Sequence, residues 1–468
     1  MTFTLRSLAE IILKNCDILD AALEKRGAHV PSLDDPYTPE SDVTNNDPQL
    51  LATADIACRA ALQLVQTIRT PQLTILLDGL SFLTSVSLRC VIELHVTEIL
   101  REAGPQGMYV DEIAKKCNVD PQKLRTILRC LAGRWIFRET APDTYTNNRF
   151  SSMLDKGKPV AELQSDPMTM YDNPQSTLAA TAAHYGDEGL KGAASLFEVM
   201  TDPTLAFSGD PKDTGFSKAF NTQKSYWEFM EQPDQKARLY RFGVTMEGLQ
   251  KLEPPELAVI GYDWGKLRDG AVVVDVGGGV GTVSAQLSEA FPKLHIVVQD
   301  RLDTIEDGKK RWKELKRTGQ VTFQAHDFLT PNPIKNPDVF LMRYITHDWA
   351  DDYVKTMLHH LREAAGPNTR LVIMDRIVPY TCSIPKDKEG VQQFTGLVES
   401  KYPPPVTIAT PSNFAFGAGV MMLLCINGQE RTIKQFDEVF ASAGWKIDSV
   451  VQHEGSGALP STICAVPI

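Results

Sequence analysis

Apolar residues recur at helical spacing through most of the first 250 positions. Short branched-apolar runs separated by helical stretches then take over. Leu5, Leu8, Ile12, Leu19 and Leu23 mark a first amphipathic helix. Residues 28–48, rich in Pro, Asp, Ser and Asn, read as a loop or linker. Leu51, Ala54, Cys58, Ala61, Leu62 and Val65 form a wide stripe on a helix over 50–69, ended by Pro71. A third helix over 76–93 is too apolar for a free surface, so these helices need a partner, in this chain or a second copy.

Residues 96–153 carry a distinct order. A helix (96–103) breaks at Gly104-Pro105, and a short helix (110–117) follows. Asp120 then caps a third helix that starts on Pro121 and runs to Ala132. Two short strands, 136–138 and 144–147, flank a turn at Pro142-Asp143. Helix, helix, helix and hairpin are the winged-helix pattern. Beyond it, 176–184, 190–200, 219–230 and 235–249 read as helices, and 202–214 as a loop.

From position 271 the period changes. AVVVDVGGGVG (271–281) is a buried strand running into glycines, and Val283, Leu287 and Ala290 continue at helical spacing. Strands at 295–299, 321–324, 338–342 and 370–374 alternate with helices at 305–317 and 353–365. Such alternation predicts an α/β domain: a doubly wound parallel sheet with helices on both faces.

Composition narrows the function. The net charge of −11 over 468 residues argues against a general nucleic-acid binder or an anionic-membrane protein. Lys123, Arg125, Arg129 and Arg134 on the third winged helix suit phosphates, yet Asp111, Glu112, Glu139 and Asp143 stand beside them. No run approaches the ~18 apolar residues of a membrane span, and the N-terminus shows no signal peptide. Eight scattered cysteines without CxxC or metal spacing suggest a reducing compartment, by default the cytosol, and no metal site.

The glycine run separates two ligand classes. A dinucleotide fold wants G-x-G-x-x-G/A, but three past Gly279 stands Thr282. Asp275-Val276-Gly277-Gly278-Gly279-Val280-Gly281 is instead an acidic-x-G-x-G-x-G run, and Asp300 closes the second strand where a ribose diol is held. His347 follows the strand 338–342 at the carboxyl edge of the sheet, where open α/β sheets bind ligands. Asp375 and Glu430 come from segments that reach the same edge, and a histidine oriented by carboxylates makes a general base.

VDVGGGVG, VVQD, HDF, RYITHDW, VIMDRIVP and GQERT occur in that order. From about Val96 to the end the chain therefore resembles the S-adenosylmethionine (SAM)-dependent small-molecule O-methyltransferases of the caffeic-acid type. It is more similar to their fungal, sterigmatocystin-type relatives acting on aromatic polyketides. The resemblance implies a Rossmann-like SAM domain (231–468) behind a winged-helix dimerisation domain (96–230) and an N-terminal helical region (1–95). It implies that Gly277, Gly278 and Gly279 face the methionine end of SAM, Asp300 the ribose, and Asp327, Phe328 and Trp349 the adenine. Arg343 stands where plant relatives have a cofactor-contacting lysine.

His347 matches the proton acceptor, with Asp375 and Glu430 as flanking acids; the family usually has glutamate at the first of these. Trp227, Phe242, Met246, Asp348 and Met421 fall at acceptor-pocket positions. The implied reaction methylates a phenolic hydroxyl of a small aromatic secondary metabolite, in a homodimer, without nucleic acid or membrane. The sequence leaves open N- or C-methylation on the same scaffold, or a SAM-binding winged-helix regulator. It also leaves open whether 380–413, longer than in plant relatives, caps the acceptor pocket or is a surface insertion.

Overall fold

The computed structural model describes residues 4–42, 47–317, 320–382, 414–452 and 459–468. Two units emerge: Met1–Asp202 with Gly215–Leu252, and Pro203–Thr214 with Glu253–Ile468. Residues 231–252 thus group with the helical unit rather than with the sheet.

The helical unit opens with Leu5–Lys25, whose first turn is closed by a reciprocal Thr4–Ser7 capping box, and Pro48–Ile68, capped by Asp47. These two helices pack on each other. The apolar stretch expected as one helix is two, Pro71–Gly79 and Phe82–Glu93, because the chain turns at Leu80-Ser81. Taken together, Pro71–Glu93 is long and apolar enough to cross a membrane by length and composition, contrary to the sequence expectation. Ile75 and Leu76 on it are 73% and 59% exposed.

The winged-helix order is present: Val96–Ala103, Val110–Cys117 and Pro121–Ala132, the last capped by Asp120 accepting from the Lys123 N–H at 2.9 Å. Strands β1 (Met108–Tyr109), β2 (Arg138–Ala141) and β3 (Thr144–Thr146) form a small sheet in the order β1-β3-β2. The hairpin starts two residues later than the sequence suggests. Trp135 and Phe137 both take left-handed backbone (φ 59° and 69°), which interrupts extended pairing there. Asn148 holds that bend, accepting from the Phe137 N–H at 3.2 Å and donating to the Trp135 carbonyl at 2.6 Å. Arg125 pairs with Asp111 and Asp143, and Arg129 with Asp143, so two cations of the third helix are neutralised within the fold.

Thr177–His184 runs through a wide π-turn, Tyr185–Gly189, into Leu190–Ala194. The turn buries Asp187 and Glu188 against Arg241 at 2.8 and 2.6 Å. The helix expected over 219–230 is interrupted: Gly215–Ala219 ends before Asn221 (φ 48°), and Ser225 caps a new helix, Tyr226–Met230.

The second unit is built on a seven-stranded sheet. Its strands are β4 (Val272–Val276), β5 (His295–Asp300), β6 (Val321–Ala325), β7 (Val339–Arg343), β8 (Arg370–Asp375), β9 (Trp445–Val451) and β10 (Ser461–Pro467). The order is β6-β5-β4-β7-β8-β10-β9. β4 to β8 are parallel, as expected, whereas β10 pairs antiparallel with β8 and with β9, so the sheet is mixed. β4, β7 and β8 are near-continuous buried runs because helices cover both faces. The strand order reverses between β4 and β7, and the crevice at such a reversal is where ligands bind.

Candidate active site

Two clusters stand at the carboxyl edge of the parallel strands. The first is the glycine loop after β4. Gly277 and Gly279 take φ of 72° and 58°, and the Gly277 and Gly278 amides donate to the Gln299 carbonyl at 2.8 and 3.1 Å. A Cβ at Gly277 would run into the Ile345 side chain (2.9 Å from Cγ1), with Phe328 Cε1 at 3.7 Å. At Gly279 a Cβ would meet open space. The loop is therefore tight below and open above.

Asp300 Oδ2 accepts from the Gly279 N–H at 2.9 Å and Oδ1 from the Arg301 N–H at 2.8 Å. A carboxylate oxygen has two lone pairs, so each retains one for a ligand hydroxyl. Asp275, the acid of the glycine motif, instead accepts from Ser284 at 2.6 Å and fastens the following helix; burial raises its pKa to about 6.

Phe328 lies edge-on to Trp349 (5.7 Å, 87°), and Trp349 contacts Tyr353 at 5.3 Å. Asp327 ties down its own loop by accepting from the Leu329 N–H at 2.9 Å. Gly277, Phe328 and Trp349 thus form one wall. Arg343 does not share it: its buried guanidinium pairs with Glu253.

The second cluster surrounds His347. Its Nδ1 is 2.9 Å from Glu430 Oε1, and its Nε2 is 3.4 Å from Asp348 Oδ1. Gly428 brings the two segments together, since a Cβ there would run into the His347 carbonyl and lie 2.7 Å from the Asp348 carbon. Burial alone pulls His347 down, but the Asp348, Glu430 and Asp375 carboxylates more than reverse it, leaving its pKa raised to about 9. Burial pushes Asp348 up to about 6, against the opposing pull of His347.

Asp375 behaves differently from the flanking role expected of it. One carboxylate oxygen grips the Thr346 hydroxyl and its N–H (3.1 Å), and no hydrogen bond joins it to His347. It acts on the histidine through charge and by fixing the preceding residue.

Several supporting residues had no role in the sequence reading. Arg431, from the GQERT motif, is fully buried. It donates to the Thr346 and Trp349 carbonyls at 2.6 and 2.7 Å and pairs with Asp351 at 2.8 Å, pinning both ends of the His347 turn. Asn427 donates to the carbonyls of Ser208, Asp210 and Asp213, which binds the strap 203–214 to this unit. Arg431 had a signal in its motif; Asn427's partners lie more than 200 positions away.

Met421 lies half-buried on the helix Phe414–Ile426, which packs against the His347 turn. Trp227 and Phe242 lie in the helical unit, where their rings meet edge-on at 5.2 Å and Phe242 also meets His184 at 5.6 Å. Met246, in the same helix as Phe242, is 37% exposed. Of the segment 380–413, residues 383–413 lie outside the described residues.

Known proteins match along this same layout. The O-methyltransferase domain profile matches residues 205–402, and the O-methyltransferase dimerisation domain profile matches 76–157. The chain is 37% identical over 476 residues to 4-O-methyltransferase 1 of Phanerochaete chrysosporium, covering all of both chains. It belongs to the O-methyltransferase family. An O-methyltransferase of Armillaria gallica is 34% identical, again over the full length of both. Among solved structures it is similar to the O-methyltransferase NcsB1 from neocarzinostatin biosynthesis (TM-score 0.58, 20% identity, 82% of this chain and 96% of that one). That protein was solved with SAM and 2-hydroxy-5-methyl naphthoic acid. The chain thus joins an O-methyltransferase dimerisation domain to a Rossmann-like methyltransferase domain.

Proposed function

We propose that this O-methyltransferase moves the methyl group of SAM to a phenolic hydroxyl of a small aromatic molecule, a polyketide-type secondary metabolite, with His347 as general base. The observation that carries the reading is His347 held on Nδ1 by Glu430 and facing Asp348 on Nε2 at the sheet's carboxyl edge.

The residues present fit SAM. Gly279 leaves open space where the methionine end would lie, beside a Gly277 backbone packed on Ile345; Asp300 keeps acceptor capacity for the ribose hydroxyls, and Asp327, Phe328 and Trp349 would enclose the adenine. When bound, SAM supplies an electrophilic methyl on a positively charged sulfur. Everything else falls to the chain.

A phenol ionises near ~10, as tyrosine does, so its hydroxyl is a weak nucleophile at neutral pH. His347, at about 9, lies within about one unit of it, so the proton passes from oxygen to Nε2 with little penalty. Glu430 on Nδ1 fixes the tautomer in which Nε2, faced by Asp348 at 3.4 Å, is the accepting nitrogen, and both carboxylates stabilise the imidazolium that forms. A base that ionises near 9 makes turnover rise with pH toward that value. Trp227, Phe242, Met246 and Met421 are assigned to acceptor contact on the family resemblance, and the acceptor's stacking on aromatic rings suits the first two.

The dimerisation-domain match and the exposed Ile75 and Leu76 support a homodimer, in which a second copy covers this apolar surface. Incubation with isotopically labelled SAM and a panel of phenolic polyketides, read by mass spectrometry, tests the assignment. Label on an acceptor oxygen supports it; label on nitrogen or carbon, or none with any acceptor, overturns it.

A further inference from the structure

Arg376 follows β8 directly and is 8% exposed. Its Nη1 is 3.4 Å from Glu430 Oε1, the oxygen that also meets His347 Nδ1. Its guanidinium carbon stands 4.6 Å from the centre of the Tyr344 ring, and that ring lies 5.5 Å from the imidazole.

Tyr344 is itself fixed. It takes left-handed backbone (φ 54°), its N–H donates to the Met374 carbonyl at 3.1 Å, and its hydroxyl donates to Glu253. Arg343 pairs with the same glutamate and stands 5.2 Å from the same ring centre. A bulky residue held at positive φ by its surroundings is a cluster point for function. Here the ring is a platform for a cation.

We propose that Arg376 is a positioning residue for methyl transfer: stacked on Tyr344, it shares Glu430 with His347 and offsets the negative charge around the imidazole, so that His347 gives up its proton at a lower pH. This rests on the general-base reading of His347.

The groups facing His347 make the sign clear. Asp348 comes from its own turn, Asp375 from the end of β8, and Glu430 from the segment before the helix Ile433–Ser442. All three favour the charged imidazole. The helix Phe414–Ile426, which packs on the turn, carries no charged residue. Tyr344 faces the ring as a neutral phenol, because burial pushes its ionisation well above the ordinary tyrosine range. Arg431 is directed at the Thr346 and Trp349 carbonyls and at Asp351. Arg376 touches the carboxylate bound to His347, whereas Arg343 pairs with Glu253. Removing Arg376 takes away the cation on Glu430, leaving Arg431 acting on Asp375, and raises the pH at which the imidazole becomes neutral.

The test needs no acceptor. Diethyl pyrocarbonate modifies neutral imidazole, so the pH dependence of His347 modification, read by peptide mass spectrometry on the full chain, gives its midpoint directly. Arg376→Gln is expected to move the midpoint up by about one pH unit, which is about tenfold slower modification at a fixed lower pH. Arg376→Lys, which keeps the charge, should restore most of the shift. Tyr344→Leu, which removes the platform and the hydroxyl's bond to Glu253 but keeps Arg376, should move the midpoint in the same direction by less. An unmoved midpoint in folded Arg376→Gln overturns the proposal, as does an unmoved midpoint in Tyr344→Leu where Arg376→Gln does not fold. Failure of the general-base reading is a separate result: the midpoint would shift while the lower limb of the turnover–pH profile did not follow.

Discussion

Glu430→Gln is the most informative single change, because it keeps the shape of the side chain and removes its charge. The native carboxylate is buried and lies 2.9 Å from His347 Nδ1. A hydrogen bond between charged partners contributes about 1.5–3 kcal/mol, equivalent to roughly 1–2 units of proton affinity. His347, raised to about 9, should therefore titrate near 7–8 in the variant. The same loss falls on the imidazolium that forms as the methyl moves, so the alkaline plateau of turnover should drop roughly 10- to 100-fold.

Stability carries the same signature. A histidine whose folded pKa lies above its unfolded value stabilises the fold fully below the unfolded value, and that contribution is lost as pH rises through the folded one. For His347 the window runs from 6.5 to about 9. The shift corresponds to roughly 3 kcal/mol, less what the raised Asp348 takes back within the same coupled cluster. In Glu430→Gln the window should narrow and move down. Urea unfolding at half-unit pH steps, with turnover–pH profiles on the same preparations, measures both. Coincident profiles for wild type and variant would refute the reasoning.

Gly277→Ala places a methyl against Ile345 on a backbone at φ 72°, so left-handed strain and overpacking together should lower stability by about 2–4 kcal/mol. Calorimetric titration should show SAM affinity falling at least about tenfold as the loop shifts. Lys156→Met should prove costly for a different reason. Lys156 and Glu98 are both fully buried, and the lysine also donates to the Ile92 carbonyl at 2.9 Å. Stranding the glutamate should lower unfolding free energy by about 3–5 kcal/mol in chemical denaturation, and a loss under about 1 kcal/mol would contradict the pairing.

The parts legible in the sequence are those with a local cause. Branched runs ending in glycine give β4 and its loop, Asp120-Pro121 gives a helix start, and the motif order sets His347 and Glu430 at one edge. What stayed hidden depends on distant partners. Arg343 stands where plant relatives have a cofactor-contacting lysine, and its pairing with Glu253, ninety positions earlier, has no local signal. Asp375 reads as a flanking acid of His347, and only the structure shows its hydrogen bonds going to Thr346 while its charge still bears on the histidine. Trp135 and Phe137 look like strand residues by composition, and only Asn148 explains their left-handed backbone. The antiparallel β9 did leave a trace: Trp445 and Ile447 are buried with exposed Lys446 and Asp448 after them, an alternation unlike the continuous apolar runs of the parallel strands.

His347→Ala, assayed with a phenolic acceptor that the wild type methylates and alongside calorimetric SAM binding, bears most directly on the base. A general base contributes roughly 10²–10⁴-fold, so turnover should fall by at least about a hundredfold while SAM affinity stays within about twofold. Turnover reduced less than about tenfold, with SAM binding intact, would show that His347 does not take the proton.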